Sequence, residues 1–310
     1  MLVPNPHIRP YGTATIAAAA AEIAAGGIVA IPTETVYGLA ADASDAAAVA
    51  RIYAAKGRPS FNPLIVHVAD LAAAEAIALF DDDARALAAA FWPGPLTLVL
   101  PLRDGAGIAA PVTAGLPTIA IRVPAHRAMQ ALIAATGRPL AAPSANASGS
   151  ISPTTAAHVA ASLGAKVSII VDDGPTSRGL ESTIVANGTI LRPGPVTEEM
   201  LRDTLACESP AEPVAGITAP GQLPGHYAPN KPVRLNAREA DADEWLIGFG
   251  EVDGHRNLSV TADLAEAATN LFAALHESDA APSPKIAGAP IPTTGIGLAI
   301  NDRLTRAAHR

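Results

Sequence analysis

Helix and strand patterns alternate along most of the chain, and this alternation constrains the fold more than any other feature of the sequence. An alanine-rich helical stretch comes first, and short apolar runs typical of strands follow between further helical stretches. Such an order is typical of a large twisted sheet with flanking helices. The predicted helices start near residue 15 and span 46–55, 71–80, 84–91, 264–276 and 298–308, and the predicted strands span 28–31, 64–68, 96–102, 118–123, 140–142, 167–171, 183–186, 233–235, 246–249 and 258–260.

A proline-rich stretch interrupts this alternation after residue 206. It holds six prolines and has no apolar period, which indicates an extended, semi-rigid connection. The shorter patterns beyond it indicate a second core, and a length of 310 residues allows two domains. The sequence therefore predicts an α/β catalytic domain at 1–206, a linker or lid at 207–232 and a small α/β C-terminal domain at 233–310.

Composition and charge narrow the class of protein. With 49% apolar and 16% charged residues the chain is expected to be globular. A net charge of −8 repels nucleic-acid backbones, so any nucleotide must be held by a local basic pocket. The single cysteine, Cys207, rules out an internal disulfide and a cysteine-rich zinc site. No stretch predicts a secretory signal or a membrane span, so we expect a cytoplasmic protein.

The first polar clusters carry hydroxyl groups and cations. Residues 32–39, Pro-Thr-Glu-Thr-Val-Tyr-Gly-Leu, follow a predicted strand as a polar turn where an α/β sheet presents ligand-binding loops, although an ordinary strand-to-helix turn fits equally. Lys56 and Arg58, expected to be exposed, lie beyond a predicted helix end and can converge on a triphosphate, although compensation of the helix dipole explains them too. Asn62 and His67 add polar groups nearby, and a lone histidine in an apolar strand is commonly structural.

The later clusters are equally open to two interpretations. Arg122 interrupts an apolar strand and needs a partner, either an internal carboxylate or the carboxylate of a small ligand. Residues 142–149 end a strand in a loop of small polar residues whose backbone N–H groups suit phosphate, but serine and asparagine are also common turn formers. Residues 182–183 and 192–194 fit a strand start and a turn. Taken singly, no cluster selects a function.

The order of the clusters is more specific than any one of them. Along the chain it runs 32–39, 56–58, 62–64, 93–95, 122–124, 143–149, 182–183 and 192–194. This order resembles the threonylcarbamoyl-AMP synthases of the YrdC type, and the tail, with His226-Tyr227-Ala228-Pro229 and residues 297–303, resembles their long, two-domain branch. The resemblance implies a YrdC-like fold, a large twisted mixed sheet with flanking helices, plus a small C-terminal α/β domain.

The resemblance also implies an activity, that of an L-threonylcarbamoyladenylate synthase, which is a nucleotidyltransferase. Threonine and bicarbonate form a carbamate that attacks the α-phosphate of ATP, and the product serves threonylcarbamoyladenosine modification of tRNA next to the anticodon. The carbamate is already an anionic nucleophile, so alignment and neutralisation of phosphate charge suffice for catalysis. The alternative is a module that binds double-stranded RNA or nucleotide without this activity, against which the net charge argues.

Carried over residue by residue, the resemblance assigns roles to thirteen positions. Mg²⁺ is expected with ATP, held by phosphate oxygens and water and not by protein side chains. The product is expected to pass to a tRNA threonylcarbamoyl transferase, without tight nucleic-acid binding or membrane attachment. The assigned residues are Lys56 and Arg58 for catalysis, Thr35, His67, Arg122 and Ser182 for threonine, and Lys56, Arg58, Asn62, Thr118, Ser144, Asn146, Ser152, Arg192 and Tyr227 for ATP.

Overall fold

The structure is a computed structural model that describes residues 7–205 and 226–309. These residues form fourteen strands and ten α-helices. The strands are β1 (Ile8–Pro10), β2 (Val29–Pro32), β3 (Tyr37–Asp42), β4 (Ile65–His67), β5 (Leu96–Pro101), β6 (Thr118–Arg122), β7 (Leu140–Ala141), β8 (Ile169–Asp172), β9 (Thr183–Ala186), β10 (Thr189–Arg192), β11 (Val233–Arg234), β12 (Glu244–Gly248), β13 (Arg256–Asn257) and β14 (Lys285–Gly288). The helices are α1 (Thr13–Ala24), α2 (Ala46–Lys56), α3 (Leu71–Glu75), α4 (Asp82–Phe91), α5 (Ala110–Thr113), α6 (Arg127–Thr136), α7 (Ala156–Leu163), α8 (Glu198–Leu205), α9 (Leu264–Ala280) and α10 (Gly297–Ala308).

The strands form two sheets. Ten of them pair in the order β1-β8-β2-β3-β7-β4-β6-β5-β9-β10, with parallel and antiparallel neighbours mixed along the sheet. The remaining four pair in the order β11-β14-β12-β13, and all of their pairs are parallel. Helices α9 and α10 cover the small sheet and supply most of its apolar core. The predicted fold, a large mixed sheet with flanking helices followed by a small α/β domain, is confirmed.

Three sequence predictions are wrong in detail. Residues 33–36 do not lead from a strand to a helix, because β3 follows them and pairs antiparallel with β2 as a hairpin. The predicted helix 71–80 ends at Glu75. The predicted strand 258–260 is a turn, in which the Ser259 hydroxyl accepts a hydrogen bond from the Asp263 N–H and Val260 points into solvent. Several short elements, among them β1, β10, α6 and α7, have no counterpart in the prediction.

Local sequence fixes both ends of α2, the helix that carries the first cations. The Asp45 carboxylate accepts hydrogen bonds from the Ala47 and Ala48 N–H groups and caps its N-terminus. At the other end Gly57 takes the left-handed conformation, with φ of 61°, which ends the helix. The prediction that a glycine frees the backbone between Lys56 and Arg58 is confirmed.

The second domain packs directly against the first. Val36, Ile151 and Leu180 of the first domain belong to the same apolar cluster as Tyr227 and Phe272. The cluster therefore continues across the boundary between the two sheets. Most of the predicted linker, residues 206–225, lies outside the described residues, and the domain limits stay a prediction. Within the described ranges, no helix is long and apolar enough to cross a membrane.

Candidate active site

A concave cavity lies over one face of the large sheet, beside the last residues of β4 and β6 and the loops that follow the carboxyl ends of β2 and β7. Residues two apart on a strand share a face, so Ile65 and His67 of β4 line the cavity together, and Ala142 and Ser144 line it from the loop after β7. The space between its walls is about 540 Å³, a figure that includes open solvent at its mouth. Its lining consists of Thr33, Thr35, Val36, Gly38, Arg58, Ile65, His67, Arg122, Ala142, Pro143, Ser144, Glu181, Ser182, Arg192, His226 and Tyr227.

Arg122 is bound to the β2–β3 hairpin. Its Nη2 donates to Glu34 Oε1 at 2.6 Å, its Nη1 to Thr35 Oγ1 at 3.0 Å and its Nε to the Gly94 carbonyl at 3.0 Å. Of the two partners that the sequence left open, the internal carboxylate is therefore present, and it is Glu34. A guanidinium has five N–H donors, so two remain for a ligand.

The turn of the β2–β3 hairpin places the Thr33 hydroxyl next to the Thr35 hydroxyl, close to Arg122. Thr33 Oγ1 donates to the Val36 carbonyl at 2.7 Å and accepts from the Thr35 N–H at 3.2 Å, which closes the turn on itself. The Thr35 hydroxyl lies 2.7 Å from Thr33 Oγ1 and accepts from Arg122. Both hydroxyl groups line the cavity.

His67 lies beside Arg122, because the two residues are partners in the β4–β6 ladder. Burial and the nearby Arg122 charge lower the pKa of His67 to about 3, so the imidazole is neutral at physiological pH. Its Nδ1 is buried and has no hydrogen-bond partner among the residues that the structure describes. A neutral imidazole with a free nitrogen suits hydrogen bonding to a polar ligand.

Lys56 and Arg58 are buried, contrary to the expectation that they are exposed. The Lys56 ammonium donates to the carbonyls of Ser144 and Asn146, and Arg58 donates to Asn62 Oδ1 at 2.6 Å and to two carbonyls. Burial, helped by the charge of Arg58, holds the pKa of Lys56 well below its usual range. Burial also lowers the pKa of Arg58, to about 10.

Ser182 and Arg192 meet on the opposite wall. Arg192 Nη2 donates to the Ser182 carbonyl at 2.9 Å and to its hydroxyl at 3.1 Å, and that hydroxyl lies 2.7 Å from Thr97 Oγ1. The chain segments approach closely because residue 194 is glycine. A Cβ there would lie 2.5 Å from the Thr183 nitrogen. Burial lowers the pKa of Arg192.

The remaining predicted residues fall into two groups. Asn62, Asn146 and Ser152 are buried behind the lining, where Asn62 accepts from Arg58 and Ser152 donates to Glu181. The Asn146 amide nitrogen donates to two backbone carbonyls, and its Oδ1 is buried without a partner in the described structure. Thr118 is not brought to the cavity. It starts β6, four residues before Arg122, which is about 13 Å along a strand.

His226 and Tyr227 close the cavity from the end of the predicted linker. The Tyr227 ring packs 5.5 Å from that of Phe272 and 5.2 Å from the Arg303 guanidinium, in the apolar core of the second domain. Its φ of 64° is unusual for an aromatic residue and marks local backbone strain. The Tyr227 hydroxyl and His226 Nδ1 are buried, and neither has a partner in the described ranges. Burial lowers the pKa of His226 to about 3.

Positive charge exceeds negative charge around the cavity. Glu34 pairs with Arg122, and Glu181 pairs with Arg303. Within residues 7–205 and 226–309, no carboxylate forms a salt bridge with Lys56, Arg58 or Arg192. Buried cations without counter-ions are costly, so the arrangement suits a ligand that carries several negative charges.

Sequence reasoning gave no role to Glu34, Glu181 or Arg303. The first lies inside the cluster 32–39 and the second directly before Ser182. A lone arginine in an apolar strand signals that a carboxylate partner exists, but only the fold shows which one. Arg303 falls within the motif 297–303 of the tail and carries no local signal of its distant partner.

Comparison with known proteins agrees with this architecture. A family model described as Sua5_yciO_yrdC, telomere recombination, matches residues 21–194, and one described as the C-terminal domain of threonylcarbamoyl-AMP synthase matches residues 196–309. The chain is 40% identical to the threonylcarbamoyl-AMP synthase of Bacillus subtilis, over 94% of this chain and 92% of the relative, and 38% identical to that of Pyrococcus abyssi, over 94% and 93%. The solved structure of Pyrococcus abyssi Sua5 complexed with L-threonine superposes with a TM-score of 0.86 at 37% identity, covering 97% of this chain and 96% of that one. On the fold, the cavity and these matches, the chain belongs to the threonylcarbamoyl-AMP synthase family, in its two-domain Sua5 form.

Proposed function

We propose that this protein is an L-threonylcarbamoyladenylate synthase, a nucleotidyltransferase that forms threonylcarbamoyl-AMP and pyrophosphate from L-threonine, bicarbonate and ATP. The observation that carries the proposal is a set of three buried cations with which no described carboxylate forms a salt bridge, Arg58 and Arg192 in the cavity lining and Lys56 bound to the carbonyl of the lining residue Ser144. A triphosphate supplies the missing negative charge. Relatives that match nearly the full chain bear the name of this activity.

The reaction needs a carbamate and a bond to phosphorus. The threonine amine attacks the carbon of bicarbonate and water leaves, which gives N-carboxythreonine. One carbamate oxygen then attacks the α-phosphorus of ATP, and the bond from that phosphorus to the bridging oxygen breaks as pyrophosphate leaves. The protein has to align the two reactants and stabilise charge on the phosphates, for which fixed cations suffice.

Threonine is assigned to the wall formed by Thr35, His67, Arg122 and Ser182. The two free N–H donors of Arg122 and the Ser182 hydroxyl suit its carboxylate, with the Thr35 oxygen beside them. His67 is assigned to hydrogen bonding and not to proton abstraction, because a group whose pKa is about 3 is a poor base near neutral pH. The small alanine at position 142 leaves room beside these groups.

ATP is assigned to the walls that carry Arg58 and Arg192, with Lys56 bound to the Ser144 carbonyl beside them. Ser144 and Tyr227 line this part of the cavity, and Asn62, Asn146 and Ser152 are buried behind it. Thr118 remains a prediction that the cavity lining does not support. When Mg²⁺ is bound it offsets charge on the triphosphate. Glu34 and Glu181 are occupied by arginines, so phosphate oxygens and water would hold the ion.

The fate of the product follows from its chemistry. A mixed anhydride of a carbamate and AMP is reactive, so we propose that a tRNA threonylcarbamoyl transferase consumes it in the cytoplasm. A net charge of −8 disfavours tight binding of the tRNA itself to this chain.

Mass spectrometry of the reaction tests the proposal. The purified chain with Mg²⁺, ATP, threonine and bicarbonate should yield threonylcarbamoyl-AMP and an equal amount of pyrophosphate, and omission of threonine or bicarbonate should abolish both. Serine, which lacks one methyl group, should react roughly 10- to 200-fold less efficiently. Turnover of ATP that is independent of threonine, with no adenylate formed, would contradict the proposal. Salt-sensitive RNA binding without any turnover would favour the nucleic-acid alternative instead.

A further inference from the structure

Arg303 of α10 is completely buried, although it belongs to the second domain and lies far from the cavity in sequence. Its Nε donates to Glu181 Oε2 at 3.0 Å, and its Nη1 donates to the Pro193 carbonyl at 2.9 Å and to Asp302 Oδ2 at 2.8 Å. Its guanidinium also lies 5.2 Å from the centre of the Tyr227 ring. One side chain therefore contacts two separate segments of the first domain and, at Tyr227, the end of the linker.

Each of these segments carries a cavity residue. Glu181 directly precedes Ser182, Pro193 directly follows Arg192, and Tyr227 is itself part of the lining. Ser182 and Arg192 are further joined by hydrogen bonds of 2.9 and 3.1 Å. A shift at Arg303 would thus be transmitted to both walls, the one assigned to threonine and the one assigned to ATP.

Stability alone does not require an arginine at this position. Replacing a buried ion-pair network by apolar residues of similar volume is often neutral or stabilising. The surrounding cluster contains Leu304 and Ile300 and would accommodate apolar residues in place of the whole network, whereas removing Arg303 alone leaves Glu181 buried without its partner and is destabilising. An apolar side chain cannot bind a carboxylate, a carbonyl and an aromatic ring at the same time, as the planar guanidinium with its fixed donors does.

We propose that Arg303 is a positioning residue of the adenylation site, by which the second domain fixes the Ser182 and Arg192 segments of the first. This inference rests on the proposed function. It gives the C-terminal domain a specific role in catalysis, because the cavity wall keeps its shape only while α10 is docked.

The test compares Arg303→Met with Arg303→Lys and with Leu304→Ala in the full-length chain. Leu304 is the next residue of α10 and is buried in the same apolar cluster, and its side chain has no polar group with which to hold the cavity wall. Its truncation is the control for a general loss of stability. Steady-state kinetics of adenylate formation are measured at a temperature where circular dichroism shows every variant folded.

Arg303→Met should raise the KM for threonine and the KM for ATP together and lower kcat/KM at least tenfold. Arg303→Lys, which keeps the charge but not the planar fork, should recover part of that loss. Leu304→Ala should lower the melting temperature and leave both KM values within about twofold of wild type. A role in folding only would lower the apparent kcat with the active fraction and leave both KM values unchanged.

Unchanged KM values in Arg303→Met, or equal KM increases in Leu304→Ala, would overturn the inference while an active wild type leaves the proposed function standing. If Arg303→Met fails to fold, Arg303→Lys decides, because a positioning role still requires raised KM values in that variant. A wild type that forms no adenylate would instead count against the proposed function.

Discussion

Buried cations occur in two regions of this molecule and are treated in opposite ways. Around the cavity, Lys56, Arg58 and Arg192 donate hydrogen bonds to carbonyls, and burial lowers the pKa of all three. In the second domain Arg303 is buried as deeply, but Tyr227, Glu181 and Asp302 outweigh the effect of burial and raise its pKa. The contrast teaches that the fold can pair buried arginines with carboxylates, as it does at Arg122 and Arg303, and leaves Lys56, Arg58 and Arg192 without such a partner, so that an anionic ligand can complete the pairing.

The largest effect is expected from removing a cavity cation. Arg58→Met should lower kcat/KM for ATP by about 100-fold or more, since losing one preorganised donor at a site of developing charge costs a factor of this order. Its melting temperature should change little, because the variant also relieves an unpaired buried charge. Steady-state kinetics and calorimetry measure the two quantities.

Arg51→Met is the matched control for this change. Arg51 lies on α2, five residues before Lys56, but it is exposed and donates to the Gly26 carbonyl away from the cavity. Its loss should leave catalysis within about twofold of wild type, as expected of a surface charge. Equal losses in both variants would remove the distinction between cavity cations and ordinary ones.

A smaller effect concerns His67, the neutral member of the cavity. Its folded pKa of about 3 lies below the value of about 6.5 expected for an unfolded histidine. The unfolded state therefore binds the extra proton as pH falls, so the contribution of His67 to stability is present above pH 6.5 and is lost towards pH 3. The slope is about 1.4 kcal/mol per pH unit for this residue.

Denaturant unfolding between pH 7 and pH 5 measures that slope. His67→Gln should make the free energy of unfolding less dependent on pH by about this amount, whereas the same change at the exposed His309 serves as the control. A slope in His67→Gln that equals the wild-type slope would show that the imidazole is charged or exposed in the folded protein.

The smallest effect is expected at Tyr227, where packing and ligand contact can be separated. Tyr227→Phe keeps the ring against Phe272 and Arg303 and removes only the hydroxyl. If that hydroxyl bonds to the nucleotide, the KM for ATP should rise roughly twofold to tenfold without a change in melting temperature. Truncation to alanine would cost about 3 to 5 kcal/mol of stability in this core and would not separate the two roles. Wild-type kinetics in Tyr227→Phe would leave the residue as packing only.

Much of the architecture could be predicted because local sequence patterns determine it. The α2 helix with its terminal Gly57 and the strand β9 follow from apolar period and turn chemistry alone. The strand β3 was missed because its Tyr-Gly-Leu-Ala-Ala sequence contains no β-branched residue, and its strand conformation depends on pairing with β2 and β7.

The site was predictable as a set of positions but not as a set of contacts. The family resemblance identified most of the cavity residues. The hydrogen-bond and salt-bridge partners that hold these residues in place are distant in sequence. Glu34 and Arg122 are 88 residues apart, and Glu181 and Arg303 are 122 apart. The burial of Lys56 could not be predicted from the sequence either, because it depends on the carbonyls of a loop some 90 residues later.

Calorimetric titration with Mg²⁺ and ATP tests most directly whether the unpaired cations of the cavity hold the triphosphate. Wild type and Arg51→Met should bind ATP with similar affinity, while Arg58→Met should bind it at least tenfold more weakly, and raising the salt concentration should weaken binding in the first two more than in the third. Equal affinity and equal salt dependence in all three proteins would contradict the account.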